Sequence, residues 1–121
     1  MKPLLLCHPR CTTCRRALDW LAAQGIEVEV RDIVACNPSV EELDGWIGRS
    51  ALPVSKFFNT SGLRYKALGL KEVVPTIDRG EALRLLASDG MLIRRPLLIA
   101  DGGVRAGFRE KEWAELLAGD R

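Results

Sequence analysis

The sequence predicts an α/β fold on a mixed sheet, running β-α-β, then an all-helical insertion, then β-β-α. Three observations carry this expectation. A short apolar run leads through a Pro-containing turn into an amphipathic helix near residue 11. A long middle stretch lacks strand alternation. A hairpin signal near residue 101 precedes a final helix.

Leu4, Leu5, Leu6 and Cys7 form a continuous apolar run suited to a strand covered on both faces. After the turn His8-Pro9-Arg10, residues Cys14, Ala17, Leu18, Leu21 and Ala22 recur at helical spacing, and Gly25 supplies a C-terminal stop. The period then switches to two: Ile26, Val28 and Val30 alternate with Glu27, Glu29 and Arg31, the pattern of a strand with one polar face. A strand, helix and strand joined this way give a parallel crossover, which places the Cys11 end of the helix at the C-terminal edge of the sheet. Open α/β sheets keep their sites at that edge.

Residues 34–90 read as the helical insertion. Ser39 with Glu42 makes a capping box before Val40, Leu43, Trp46 and Ile47, and Asp78 with Glu81 stands similarly before Leu83, Leu85 and Leu86. Between them, Gly62 and Gly69 close one or two short helices. The sheet resumes in Leu97–Ala100 and Val104–Phe108, which flank Asp101-Gly102-Gly103, and a last helix carries Trp113, Leu116 and Leu117 at core spacing. Residues 1–33 and 91–121 are thus expected to form the core and 34–90 the insertion, within one domain. The outer elements are those of a thioredoxin-like fold, in which a C-x-x-C opens the first helix.

Composition bounds the function classes. With 121 residues and 47% apolar content the chain can bury one core, and a formal charge of +2 gives no footprint for direct, sequence-specific nucleic-acid binding. The apolar runs are far shorter than a membrane span, and the first residues lack a signal-peptide pattern, so a cytoplasmic location is expected. A chain of this size needs no disulfide staples. Its four cysteines therefore raise the question of reactive or metal-binding use.

Cys11 and Cys14 lie three apart at a helix start, within reach of a disulfide. Cys14 falls on the buried stripe with Leu18 and Leu21. Cys11 lies at the exposed end, where unpaired backbone N–H groups and the helix dipole favour an anion. Cys11 is accordingly the expected nucleophile and Cys14 the resolving thiol, with Arg10, Arg15 and Arg16 adding positive charge nearby. The bland alternative is a chance pair of small core residues. Zinc is the other alternative, with Cys7, His8, Cys11 and Cys14 as ligands. Zinc sites usually pair two separate knuckles, however, and there is no second CxxC or HxxxH, so no metal is expected. His8, the only histidine, reads as a solvent-facing turn residue or a base. Cys7 reads as plain core, and Cys36 as an exposed loop thiol.

The segments "HPRCTTCRRALDWL", "RDI", "PSVEELDGWI", "LPVSKFFNTSG", "YKALGLK", "LLASDGMLIRRPLLI" and "GFREKEW" run in order from end to end, and with them the whole chain resembles the arsenate reductase family, especially its Spx/MgsR-type branch. The resemblance implies that Cys11 is the reactive cysteine, that Arg95 binds an oxyanion or steadies the thiolate, and that Pro96 follows a cis peptide bond. Arg10, Arg15, Arg95 and Pro96 then form the expected substrate-binding set. It implies no bound cofactor and an external thiol reductant, either glutathione with glutaredoxin or thioredoxin. Departures from the glutaredoxin-linked arsenate reductases are the second cysteine, Cys14, and Asn59 and Gly107 or Phe108 where those enzymes carry arginines. The CxxC also resembles the Spx-type switch, which implies the C-terminal domain of the RNA polymerase α subunit as a partner.

Overall fold

The computed structural model describes residues 2–118; the ends of the expected core, residue 1 and residues 119–121, lie outside the described residues. The chain divides into two compact units, Met1–Asp32 with Arg95–Arg121, and Ile33–Arg94.

The first unit holds the sheet. Strand β1 (Leu4–Cys7) pairs in parallel with β2 (Glu29–Asp32) and antiparallel with β3 (Leu97–Ala100), which pairs antiparallel with β4 (Gly103–Ala106). The order among the described residues is β2-β1-β3-β4, a mixed sheet with the two apolar strands at its centre. This is the thioredoxin-like arrangement expected, with helix α1 (Thr12–Ala23) between β1 and β2 and the last helix, Glu110–Leu117, after β4. Leu5 and Cys7, two apart on β1, share one buried cluster with Cys14, Ala17 and Leu21 of α1 and with Trp113 and Leu117 of the last helix. The helices therefore fix the sheet face on which Cys7 lies.

Helix α1 ends in a Schellman motif. Gly25 adopts φ 71°, its N–H donates to Ala22 O (3.0 Å), and the N–H of Ile26 donates to Leu21 O (3.0 Å). This explains a difference from the sequence expectation. Ile26 closes the helix and packs on the core instead of opening a strand, so β2 begins only at Glu29, and Val30 lies 54% exposed. Strand β4 likewise stops at Ala106. Phe108 leaves the sheet to meet the Trp113 ring edge-on at 4.8 Å, and the Trp113 Nε1–H donates to Gly107 O (3.1 Å). The Arg95–Pro96 peptide bond is cis, and the Gly107 N–H donates to Pro96 O (2.8 Å).

The second unit is helical, as expected, apart from a single bridge between Phe58 and Ile93. It contains α2 (Val40–Ser50), α3 (Leu63–Ala67), α4 (Leu70–Val73) and α5 (Arg79–Ser88), with short 3-10 turns between. The final helix, Glu110–Leu117, is thus α6. The capping box forms as read: Ser39 Oγ accepts from the Glu42 N–H and Glu42 Oε1 accepts from the Ser39 N–H, both at 3.1 Å. Asp78 caps α5 by accepting from Gly80 and Glu81 N–H. Gly90 admits no side chain, since a Cβ there would lie 2.1 Å from Ile33 O. Among the described residues no helix is long and apolar enough to cross a membrane.

Candidate functional site

The turn after β1 delivers the chain into α1 with Cys11 as N-cap, in extended conformation (φ −85°, ψ 116°) and without a side-chain cap bond. Its N–H donates to His8 O (3.0 Å) and its carbonyl accepts from the Arg15 N–H (3.1 Å). An uncapped first turn leaves backbone N–H groups and the positive end of the helix dipole at the sulfur-bearing end of α1. Cys11 is half-buried, Cys14 is 2% exposed and Cys7 is 5% exposed. All three cysteines line one cavity of about 340 Å³, together with Arg15, Asp19 and Asp32. All four cysteines of the chain are free thiols, and Cys36 lies exposed in the second unit.

Cys14 sits where donors converge. Its side chain hydrogen-bonds with Cys7, accepts from the His8 backbone N–H, hydrogen-bonds with Cys11 and feels the positive charge of Arg95. The Cys7 contact is the strongest of these influences. Together they outweigh burial and hold the Cys14 thiol down at about 6. Cys7 moves the opposite way: its hydrogen bond to Cys14 and then its burial push its thiol well up, so it keeps its proton. Ionisation is thus shared out between two touching sulfurs, with the negative charge on Cys14.

The expected residues are placed as follows. Cys11 and Cys14 come together at the start of α1, and Arg95, adjoining the cis bond, brings its charge to bear on both Cys14 and Cys7. The buried Nε of Arg95 makes no hydrogen bond, while the residue is engaged through other interactions. Arg15 is exposed and lines the cavity; Arg10 and Arg16 are exposed and do not line it. His8 lines the cavity at the turn, with Nδ1 accepting from the Arg10 N–H (3.2 Å). Asn59 lies in the second unit, and Gly107 and Phe108 in the first. Cys7, read as plain core, is part of the sulfur cluster. Its position at the last residue of the strand feeding the turn was the available signal. Among the described residues no group of three or more His, Cys, Asp or Glu side chains is arranged to hold a metal ion.

Comparison with known proteins agrees with this architecture. The model of the ArsC family matches residues 6–116, and the chain belongs to that family. It is 45% identical over 108 residues to the uncharacterized protein YusI of Bacillus subtilis, covering 89% of this chain and 92% of that protein. An arsenate reductase of Neisseria meningitidis is 31% identical over 101 residues, covering 83% and 85% respectively. The regulatory protein MgsR of Bacillus subtilis is 29% identical over 109 residues, covering 90% and 85%. A solved structure from Bacteroides fragilis, described as an ArsC family related protein, superposes with a TM-score of 0.92 at 48% identity, covering 96% of this chain and 98% of that one.

Proposed function

We propose that this member of the ArsC family is a cytoplasmic thiol-disulfide redox protein in which Cys11 is the attacking sulfur and Cys14 the resolving one. The observation that carries the reading is the pairing of a half-buried Cys11 with a buried, donor-surrounded Cys14 on one cavity. The accessible sulfur meets substrate. The enclosed one is poised as a thiolate within reach of it.

With a disulfide substrate, Cys11 gives its proton to the Cys14 thiolate beside it and attacks one sulfur, forming a mixed disulfide and expelling the other as a thiolate that takes up that proton, which leaves Cys14 ionised again. Cys14 then attacks the Cys11 sulfur; the Cys11–Cys14 bond forms and the second substrate thiolate departs. With arsenate, Cys11 attacks arsenic and a hydroxide leaves. Attack of Cys14 on the Cys11 sulfur then sends the S–As electron pair out with arsenic as arsenite. Either route oxidises the pair by two electrons, which an external dithiol protein or two glutathione molecules return. Arg95 offsets negative charge at the reacting sulfurs.

A second reading is favoured by the similarity to MgsR: the same disulfide biases a regulatory interface, with the RNA polymerase α subunit as partner. One paired experiment separates the two. Arsenate turnover is followed with glutathione and glutaredoxin, and with thioredoxin, while the reduced and oxidised chain are each used to capture the α subunit. The enzyme reading requires turnover that disappears in Cys11→Ser. Redox-dependent capture without turnover replaces it with the regulator.

A further inference from the structure

The chemistry above uses two sulfurs and leaves the third, Cys7, without a role. Cys7 ends β1 on the face that packs against α1, is buried with Cys14 in one cluster, and lines the same cavity as Cys11 and Cys14. Its side chain and that of Cys14 are hydrogen-bonded. Two thiols in contact leave open which one donates. The other neighbours of Cys14 decide it: the His8 backbone N–H can only donate, and it reaches Cys14 and not Cys7, whereas the charge of Arg95 is felt by both. A sulfur so surrounded is the acceptor, and the hydrogen of the contact belongs to Cys7.

We propose that Cys7 is a positioning residue for the thiol pair: its S–H, held at the inner end of β1, donates to the Cys14 sulfur and keeps that sulfur ready to close the Cys11–Cys14 bond. The contact stands on the packing of β1 against α1, and its sense on the donors that surround Cys14. Only its redox consequence rests on the proposed function. Cys7 keeps its proton throughout; the bond that forms is Cys14–Cys11, and the bond that breaks joins Cys11 to the substrate. In the disulfide the anionic acceptor is gone, so the contact favours the reduced form and raises the reduction potential of the pair. The ionisable groups around Cys14 are Cys7 on β1, His8 in the turn, Cys11, Arg15 and Asp19 on or beside α1, Asp32 on β2 and Arg95 before β3. Arg95 acts in the same direction as the Cys7 donor.

The test compares Cys7→Val and Cys7→Ala, which remove the donor, with Cys7→Ser, which keeps one. In reduced full-length protein carrying Cys11→Ser and Cys36→Ser, thiolate absorbance is titrated against pH. Relative to that parent the midpoint is expected to rise by about one unit or more in the Val and Ala variants and to stay close to the parent's in the Ser variant. With Cys11 restored, equilibration against glutathione buffers is expected to show the Val and Ala disulfides about tenfold harder to reduce, about 30 mV more negative. Either donor-less variant suffices if the other fails to fold. An unmoved midpoint in Val and Ala, or a Ser variant that moves as far as they do, overturns the donor role, as does a Cys7–Cys14 disulfide in oxidised wild type. A moved midpoint with an unmoved potential overturns the redox consequence. If the wild type forms no Cys11–Cys14 disulfide at all, the proposed function fails while the titration still decides the role of Cys7.

Discussion

Replacing Cys14 by serine should abolish a specific pH dependence of stability. In the reduced folded chain the Cys14 thiol is held at about 6 against an ordinary 9.0. Between those values the unfolded chain binds the proton that the folded chain has released, so stability rises with pH across the window from 6 to 9. It is lost as pH falls through 6. The contribution is on the order of 1 kcal/mol at pH 7 and grows towards pH 9, in a side chain that is 2% exposed and so little screened by solvent. Cys7 acts with the opposite sign: its raised folded pKa means that stability is lost again above 9, where the unfolded chain gives up a proton that the folded chain retains. Urea denaturation in the presence of a non-thiol reductant, at unit steps from pH 5 to 9, measures this in wild type and Cys14→Ser. The difference between the two chains isolates Cys14, with the Cys7 thiol coupled to it, from the remaining titrating groups; Cys7 enters only towards pH 9. A difference that is flat over 6 to 9, or that declines as pH rises, would refute the assignment of the negative charge to Cys14.

Three further outcomes follow from the structure. Arg95→Gln should move the Cys14 titration upward, but by less than the donor-less Cys7 variants, because its charge is the weakest of the influences lowering that thiol; thiolate absorbance reads the order directly. Trp113→Ala removes a fully buried ring that meets Phe108 and Trp20 and donates to Gly107 O, and should lower unfolding stability by about 3 to 5 kcal/mol in a denaturant titration. Gly90→Ala places a Cβ against Ile33 O, which is backbone and cannot swing away, so a loss of about 1 to 3 kcal/mol or more is expected by thermal melting.

Much of this was legible in the chain because local chemistry and global fold agree. The Ser39–Glu42 capping box, the Gly25 stop and the Asp101-Gly102 turn each report their own geometry within a few residues. The alternation of Ile26, Val28 and Val30 misled for a physical reason: the Schellman motif turns the residue after its glycine back onto the helix, with the Ile26 N–H bonded to Leu21 O, and so takes Ile26 from the strand. The CxxC was visible as a pair at a helix start. What spacing could not display is the partner across the turn. Cys7 sits seven residues before Cys14, and only the packing of β1 against α1 brings the two sulfurs into contact. Spacing pointed to Arg10, Arg15 and Arg16 for the positive charge at the site, and only the family resemblance pointed to Arg95. Arg10 and Arg16 stay outside the cavity, and the charge felt by Cys14 comes from Arg95, some eighty residues along.

The central claim, that Cys11 and Cys14 act as one redox pair, is tested most directly by mass mapping of thiols after mild peroxide treatment of the folded, reduced chain. The expected result is a Cys11–Cys14 disulfide appearing first, with Cys7 recovered as a free thiol after denaturing alkylation. Oxidation confined to Cys36 while Cys11 and Cys14 both remain reduced would contradict it.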